Sequence, residues 1–195
     1  QAFSKIRNQL QQGYPEAVRL RRLAQETAWM AQRGQYNVPR LLQRNDSLTT
    51  MLAFSHFAES AMRAAHLCAR NYAPYYKWLL HSTEQLPQGA ELAALLQKST
   101  TLPLKQWETE IIAPVCAIIA KQMKEQGIST QEESYMQVHA EAAAQQAALL
   151  EQKEALVEKI VRLEFSEFDK VKNEGVRAGC QDDWETFSIM RKSQY

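Results

Sequence analysis

Nowhere in this 195-residue chain do apolar and polar residues alternate for more than a few positions, so nothing in it encodes a half-buried β-strand. What recurs instead is helical spacing, cut at intervals by single prolines and glycines. Pro15, Pro39, Pro74, Pro87 and Pro103 fall at segment edges, where a ring that removes an N–H is tolerated; Pro114 is the exception, inside an apolar run. The pattern predicts an all-α fold, a helical bundle built as two packed subdomains. Their ranges are 1–98 and 103–195, meeting near Lys98 to Leu102.

Glu16 to Arg33 reads as a helix with Val18, Leu20, Leu23, Ala24, Thr27 and Met30 along one side, ended by Gly34. Asp46 or Ser47 caps a long helix through Leu48, Leu52, Phe54, Phe57, Ala61, Ala65 and Cys68, which stops at Asn71 to Pro74. Pro74 then opens a short helix, and Ala90 to Gln97 forms another. Pro103 opens a helix with Trp107, Ile111, Ile112, Val115, Ile118, Ile119 and Met123 at helical spacing, kinked at Pro114 and closed by Gly127. Ser129 or Thr130 begins the longest one. In it Tyr135, Ala142, Leu149, Leu156 and Leu163 recur every seven residues, but Gln145, Gln152 and Lys159 occupy the complementary positions. That favours packing within a bundle over a long coiled coil.

The formal charge of +1 provides no global field for nucleic acid or acidic membrane. It is unevenly spread. Gln1 to Thr50 carries eight Lys/Arg against three Asp/Glu (net +5), and Glu125 to Asp169 carries three against ten (net −7). Either these are solvated helix faces, or the two halves dock on each other or on opposite partners. Cys68, Cys116 and Cys180 are too few and too scattered for a disulfide framework, which suits a reducing compartment. No signal peptide or membrane-length apolar run is visible, so a cytoplasmic protein is expected. A chain that opens on Gln1 and stops at Tyr195 reads as a piece of a longer protein.

Three constellations are candidates for binding or chemistry. Arg70, Asn71, Tyr72, Tyr75, Tyr76, Lys77 and Trp78 form an aromatic and basic corner suited to stacking on and charge-pairing with a nucleotide or another aromatic ligand; the alternative is that the rings merely fill the corner. Gln35 to Arg40, followed by Arg44, reads as a basic polar loop in which Arg40 and Arg44 can fork onto phosphate. The third runs from Glu164 to Asp183. There Glu164 shares a stripe with Val157, Ile160, Val161, Phe168 and Val171, so it should either be protonated or find a cation, with Arg177 the candidate. Glu167, Asp169, Asn173, Gln181 and Asp183 complete a polar cluster that is either a structural network or a ligand site, and Asp182 with Glu185 fits a capping box.

No metal site is expected. His56, His66, His81 and His139 have no metal-ligand spacing, the carboxylates lack paired ExxH motifs, and the six glycines are scattered singly rather than gathered in a phosphate loop. Cys180 has no evident base beside it.

Phe3 to about Leu96 resembles the helical C-terminal half of a bacterial nucleotidyltransferase-like family akin to the polymerase-β-type enzymes. The residues that carry the likeness are Ile6-Arg7, Tyr14-Pro15, Gln35-Tyr36-Asn37, Pro39-Arg40, Arg44 and Asn71 to Trp78. Ile111 to Tyr195 resembles a bacterial domain of unknown function often fused behind it, above all at Leu163 to Phe165, Asn173 to Gly175, Arg177-Ala178 and Cys180 to Asp183. The resemblance implies an accessory helical region contributing acceptor-substrate binding or regulation. The Gly-Ser pair and Asp-x-Asp that hold nucleotide and Mg²⁺ in such enzymes are absent, so no catalytic residue can be named and no cofactor is expected in this chain. Its partner would be the missing catalytic domain or another protein. Two other readings are a non-enzymatic interaction module and a small-molecule enzyme built on the Glu164 to Asp183 cluster.

Overall fold

A computed structural model describes the backbone of residues 13–173 and 181–195, and the side chains of these except 169–173 and 181–183. The fold is all-α, and no strand occurs among the described residues. The chain divides into two compact units, Gln1–Ala147 and Ala148–Tyr195, so the Lys98 to Leu102 segment lies within the first.

In the first unit, helix α1 (Glu16–Trp29) passes without a break into a π-helical stretch, Met30–Asn37, and then into α2 (Val38–Gln43). The expected stop at Gly34 and the expected loop at 35–40 are therefore both replaced by helix. Gly34 serves close approach rather than termination. A Cβ built on it would lie 2.3 Å from Cδ2 of Phe57, a side chain buried without measurable exposure. Widened π turns accommodate this contact.

Helix α3 (Ser47–Cys68) starts as its sequence dictates, with the Asp46 carboxylate accepting from the Thr49 amide at 3.1 Å. It ends in a left-handed Arg70 (φ 57°), whose successor, Asn71, donates its amide back to the His66 carbonyl at 2.9 Å. Two short helices follow, α4 (Tyr76–Glu84) and α5 (Gly89–Gln97). After short 3₁₀ turns, a second π stretch, Glu108–Ile112, leads into α6 (Ala113–Glu125). Pro39 and Pro114 each occupy the second position of the α-helix that follows a π stretch. Proline lacks a donor and its ring crowds the preceding turn; the widened winding absorbs both demands.

The longest helix, α7 (Met136–Asn173), begins six or seven residues later than the start expected at Ser129 or Thr130. Buried His139 explains the delay. Its Nδ1 meets the Ser129 hydroxyl and its Nε2 the Glu133 carbonyl, both at 2.8 Å, so the 129–135 segment is fastened to the helix instead of joining it. Gln35 completes the start from another element: its Oε1 accepts the Met136 amide at 2.8 Å, and its Nε2 donates to the Ser134 carbonyl at 2.8 Å.

The core of this unit lies between α1, α3, α5 and α6, with Leu20, Leu23, Met30, Phe57, Leu79, Leu92, Ile111, Ile119 and Met123 fully buried. One charged group shares that core. Arg19 is 1% exposed, whereas Val18, expected on the apolar side, is 43% exposed.

The second unit comprises the rest of α7 and helix α8 (Gln181–Lys192). Phe165 contacts Phe168, Trp184 and Phe187 with ring centroids 5.2–6.3 Å apart. Its core is thin: Val161 is the only fully buried apolar side chain described in this unit. The heptad row does not pack as a bundle seam. Leu149, Leu156 and Leu163 are 64%, 58% and 69% exposed, because the inward stripe of this helix passes through Val161 on a different face.

Candidate functional site: an aromatic corner and the cleft behind it

All seven corner residues are exposed, and of their rings Tyr75, Tyr76 and Trp78 are the most open, at 67%, 66% and 60%. Tyr75 and Tyr76 stack obliquely at 4.4 Å, and the Lys77 ammonium stands 5.9 Å from the Trp78 ring centre. A cluster of large exposed rings with a cation among them is unusual on a protein surface.

The other three residues hold the corner in place. Arg70 reaches back to Glu16 in the first turn of α1, with contacts of 2.7 and 3.3 Å. Tyr72 packs on Tyr14 at 4.2 Å, and Asn71 closes the end of α3 through its amide. Glu16 is shared between Arg70 and Arg19. Hydrogen bonding from Arg19 first, and from Arg70 after it, holds the Glu16 carboxyl down at about 2, against the opposing effect of partial burial.

Arg40 and Arg44 are not brought to this corner's ring stack by any contact. Arg40 lies over its own neighbour Tyr36 at 3.9 Å, a helical i,i+4 pair, and Arg44 is exposed at the end of α2. Of the polar cluster, Glu164 is engaged in a two-point contact with the Arg191 guanidinium and accepts from the Tyr195 hydroxyl at 2.7 Å. Those two bonds, Arg191 first, hold its carboxyl below the usual range. Glu167 is exposed on α7. Asp169, Asn173, Arg177, Gln181 and Asp183, like Asp182 of the capping box and Cys180, fall outside the residues whose side chains are described.

Two groups that matter escaped sequence reasoning. Arg19 donates to Glu16, to the Leu67 carbonyl at 3.0 Å and to Gln126 Oε1 at 3.2 Å, tying α1 to α3 and to the end of α6. Its i,i+3 spacing from Glu16 was the available signal. Glu26 lines a cleft of about 280 Å³ behind the corner, together with Tyr14, Arg22, Trp29, Arg63 and Ala73. Burial raises the Glu26 carboxyl, a Ser60 hydrogen bond and the charges of Arg63 and Arg33 only partly opposing it.

The two buried cysteines described, Cys68 and Cys116, are both pushed up by desolvation, Cys68 to about 12, and so are poor nucleophiles. Among the described residues no group of three or more His, Cys, Asp or Glu could hold a metal ion, and no helix is long and apolar enough to cross a membrane.

Residues 1–79 match a family described as Domain of unknown function (DUF4037), and residues 154–195 match one described as Protein of unknown function (DUF4125). The corner and every named wall of the cleft lie in the first matched segment; the Glu164–Arg191–Tyr195 contact lies in the second. No curated protein and no solved structure matches the chain.

Proposed function

We propose that this chain is the accessory helical region of a bacterial, cytoplasmic nucleotidyltransferase-like protein, and that the corner at Tyr75, Tyr76, Lys77 and Trp78 receives the acceptor substrate. The observation that carries this reading is the exposure of three neighbouring aromatic rings around one lysine, on a corner whose other residues are fixed by Glu16 and Tyr14. Nucleotide and Mg²⁺ belong to the catalytic half in this reading, and this chain supplies stacking area and one positive charge. In the intact protein, Tyr76→Ala and Lys77→Ala should raise KM for the acceptor about tenfold, with KM for the nucleotide unchanged. Unchanged acceptor kinetics in both variants would remove the reading.

A second reading, a non-enzymatic interaction module, draws on the exposed Leu149, Leu156 and Leu163 row. It predicts that Leu156→Glu releases a protein that co-purifies from the source cell; a chain that purifies alone and monomeric counts against it.

A further inference from the structure

The cleft between α1 and α3 holds a chemical imbalance that its own residues leave uncorrected. Two buried side-chain oxygens among the described residues have no hydrogen-bond partner, Glu26 Oε2 and Gln122 Oε1, and only the first belongs to an acid. A carboxyl withdrawn from water without a full set of donors is costly, and proteins retain few such groups.

The hydrogen bonds described for the nearby cations go to groups other than Glu26. Arg63 gives its Nε and Nη2 to Glu59 at 3.0 and 2.9 Å. Arg33 lies over the Trp29 ring at 4.4 Å and reaches Ser60 at 3.4 Å. Arg22 donates to the Tyr14 hydroxyl at 2.8 Å. Buried Arg19, two turns before Glu26 on the same helix, has partners on three elements, so incomplete pairing is a local property of this cleft.

The geometry points to this cleft as a binding site for a small zwitterion with a planar body, its ammonium on the Glu26 carboxyl and its acid group on Arg63 and Arg22. An ammonium supplies the donors that Glu26 lacks, and the soft terminal torsion of glutamate lets either oxygen turn toward it. Arginines in the wall oppose a ligand of net positive charge and favour one that carries its own carboxylate. Trp29 and Tyr14 offer aromatic surface to a flat group. About 280 Å³ is near the lower limit for ligand sites, which fits a single metabolite and not a polymer. The inference goes beyond the acceptor reading of the outer corner and stands whether or not that reading holds.

Three probes of one shape separate the charges: L-phenylalanine, phenethylamine and 3-phenylpropionate, titrated into the 195-residue chain while the indole N–H resonance of Trp29, assigned with Trp29→Phe, is followed by NMR. Phenylalanine should bind saturably and more tightly than phenethylamine, with 3-phenylpropionate weakest. Glu26→Gln, which keeps the side-chain shape, should weaken phenylalanine about tenfold. Arg63→Gln should weaken phenylalanine while leaving phenethylamine as it was. Absence of binding by all three, equal binding by all three, tightest binding by 3-phenylpropionate, or indifference to Glu26→Gln would each overturn the assignment, as would an equal effect of Arg63→Gln on both amines.

Discussion

Arg19 carries a full charge into a core lined by Leu20, Leu23 and Leu67, and it stays there because every direction its guanidinium points in meets an acceptor. Arg19→Met fills the same space but removes one of two donors to the Leu67 carbonyl, the Arg70 amide being the other, and the Arg19 donor to the Gln126 amide oxygen. It should cost about 3 kcal/mol in urea unfolding. The same network sets an acid limit. The Glu16 carboxyl is held at about 2 in the folded chain against an ordinary 4.5 when unfolded, so its contribution is complete above 4.5 and is lost as pH falls toward about 2. Glu16→Gln should flatten the stability profile across that window. Glu26 has the opposite sign: its raised carboxyl favours the folded state only when protonated, and charging it above its raised value costs stability. Glu26→Gln should therefore stabilise the chain at neutral pH by about 1 kcal/mol, read as a higher Tm. Only the Glu16 partner of Arg19, three residues away, was readable in the sequence; the others were not, for a physical reason. Arg19 is partnered from α3 and α6, 48 and 107 residues away, and no local spacing encodes that.

At the scale of elements, caps and periodicity carried most of the reading, and the failures share a cause. Asp46 capped α3 and Gly127 closed α6 with its positive φ of 67°, both local events visible in the residues themselves. Gly34 looked the same as Gly127 in sequence, yet it answers to Phe57 on another helix. The 129–135 segment likewise answers to His139 and Gln35. Gly34→Ala should destabilise by about 2 kcal/mol, because Phe57 is enclosed and cannot yield. Phe57→Leu in the same chain should recover part of that loss, which a double-mutant cycle would measure. The corner at Tyr75 to Trp78 was legible because exposed aromatics and their flanking charges lie consecutively; the cleft was not, because its walls come from α1, α3 and the chain around Tyr14 and Ala73.

For the whole molecule, the two units differ in what holds them. The first has a continuous apolar core; the second relies on the Phe165, Trp184 and Phe187 cluster and on surface ion pairs, Glu164 with Arg191 and Glu158 with Lys192. Hydrogen exchange should therefore open residues 148–168 and 184–195 well before the buried parts of α3 and α6, and Arg191→Ala should accelerate exchange in the second unit only. Uniform protection along the chain would contradict this division.

The continuous run from Glu16 to Gln43 has one more consequence. Each π turn contains more residues than an α turn, so Met30–Asn37 sets the angular phase of whatever follows it. Losing one residue there would turn α2 by about 100° about its axis, and Gln35 would no longer meet the Met136 amide. Length therefore matters in this segment beside residue type: Gly34 and Gln35 are each tied to another element, and a single-residue insertion or deletion would displace both contacts at once.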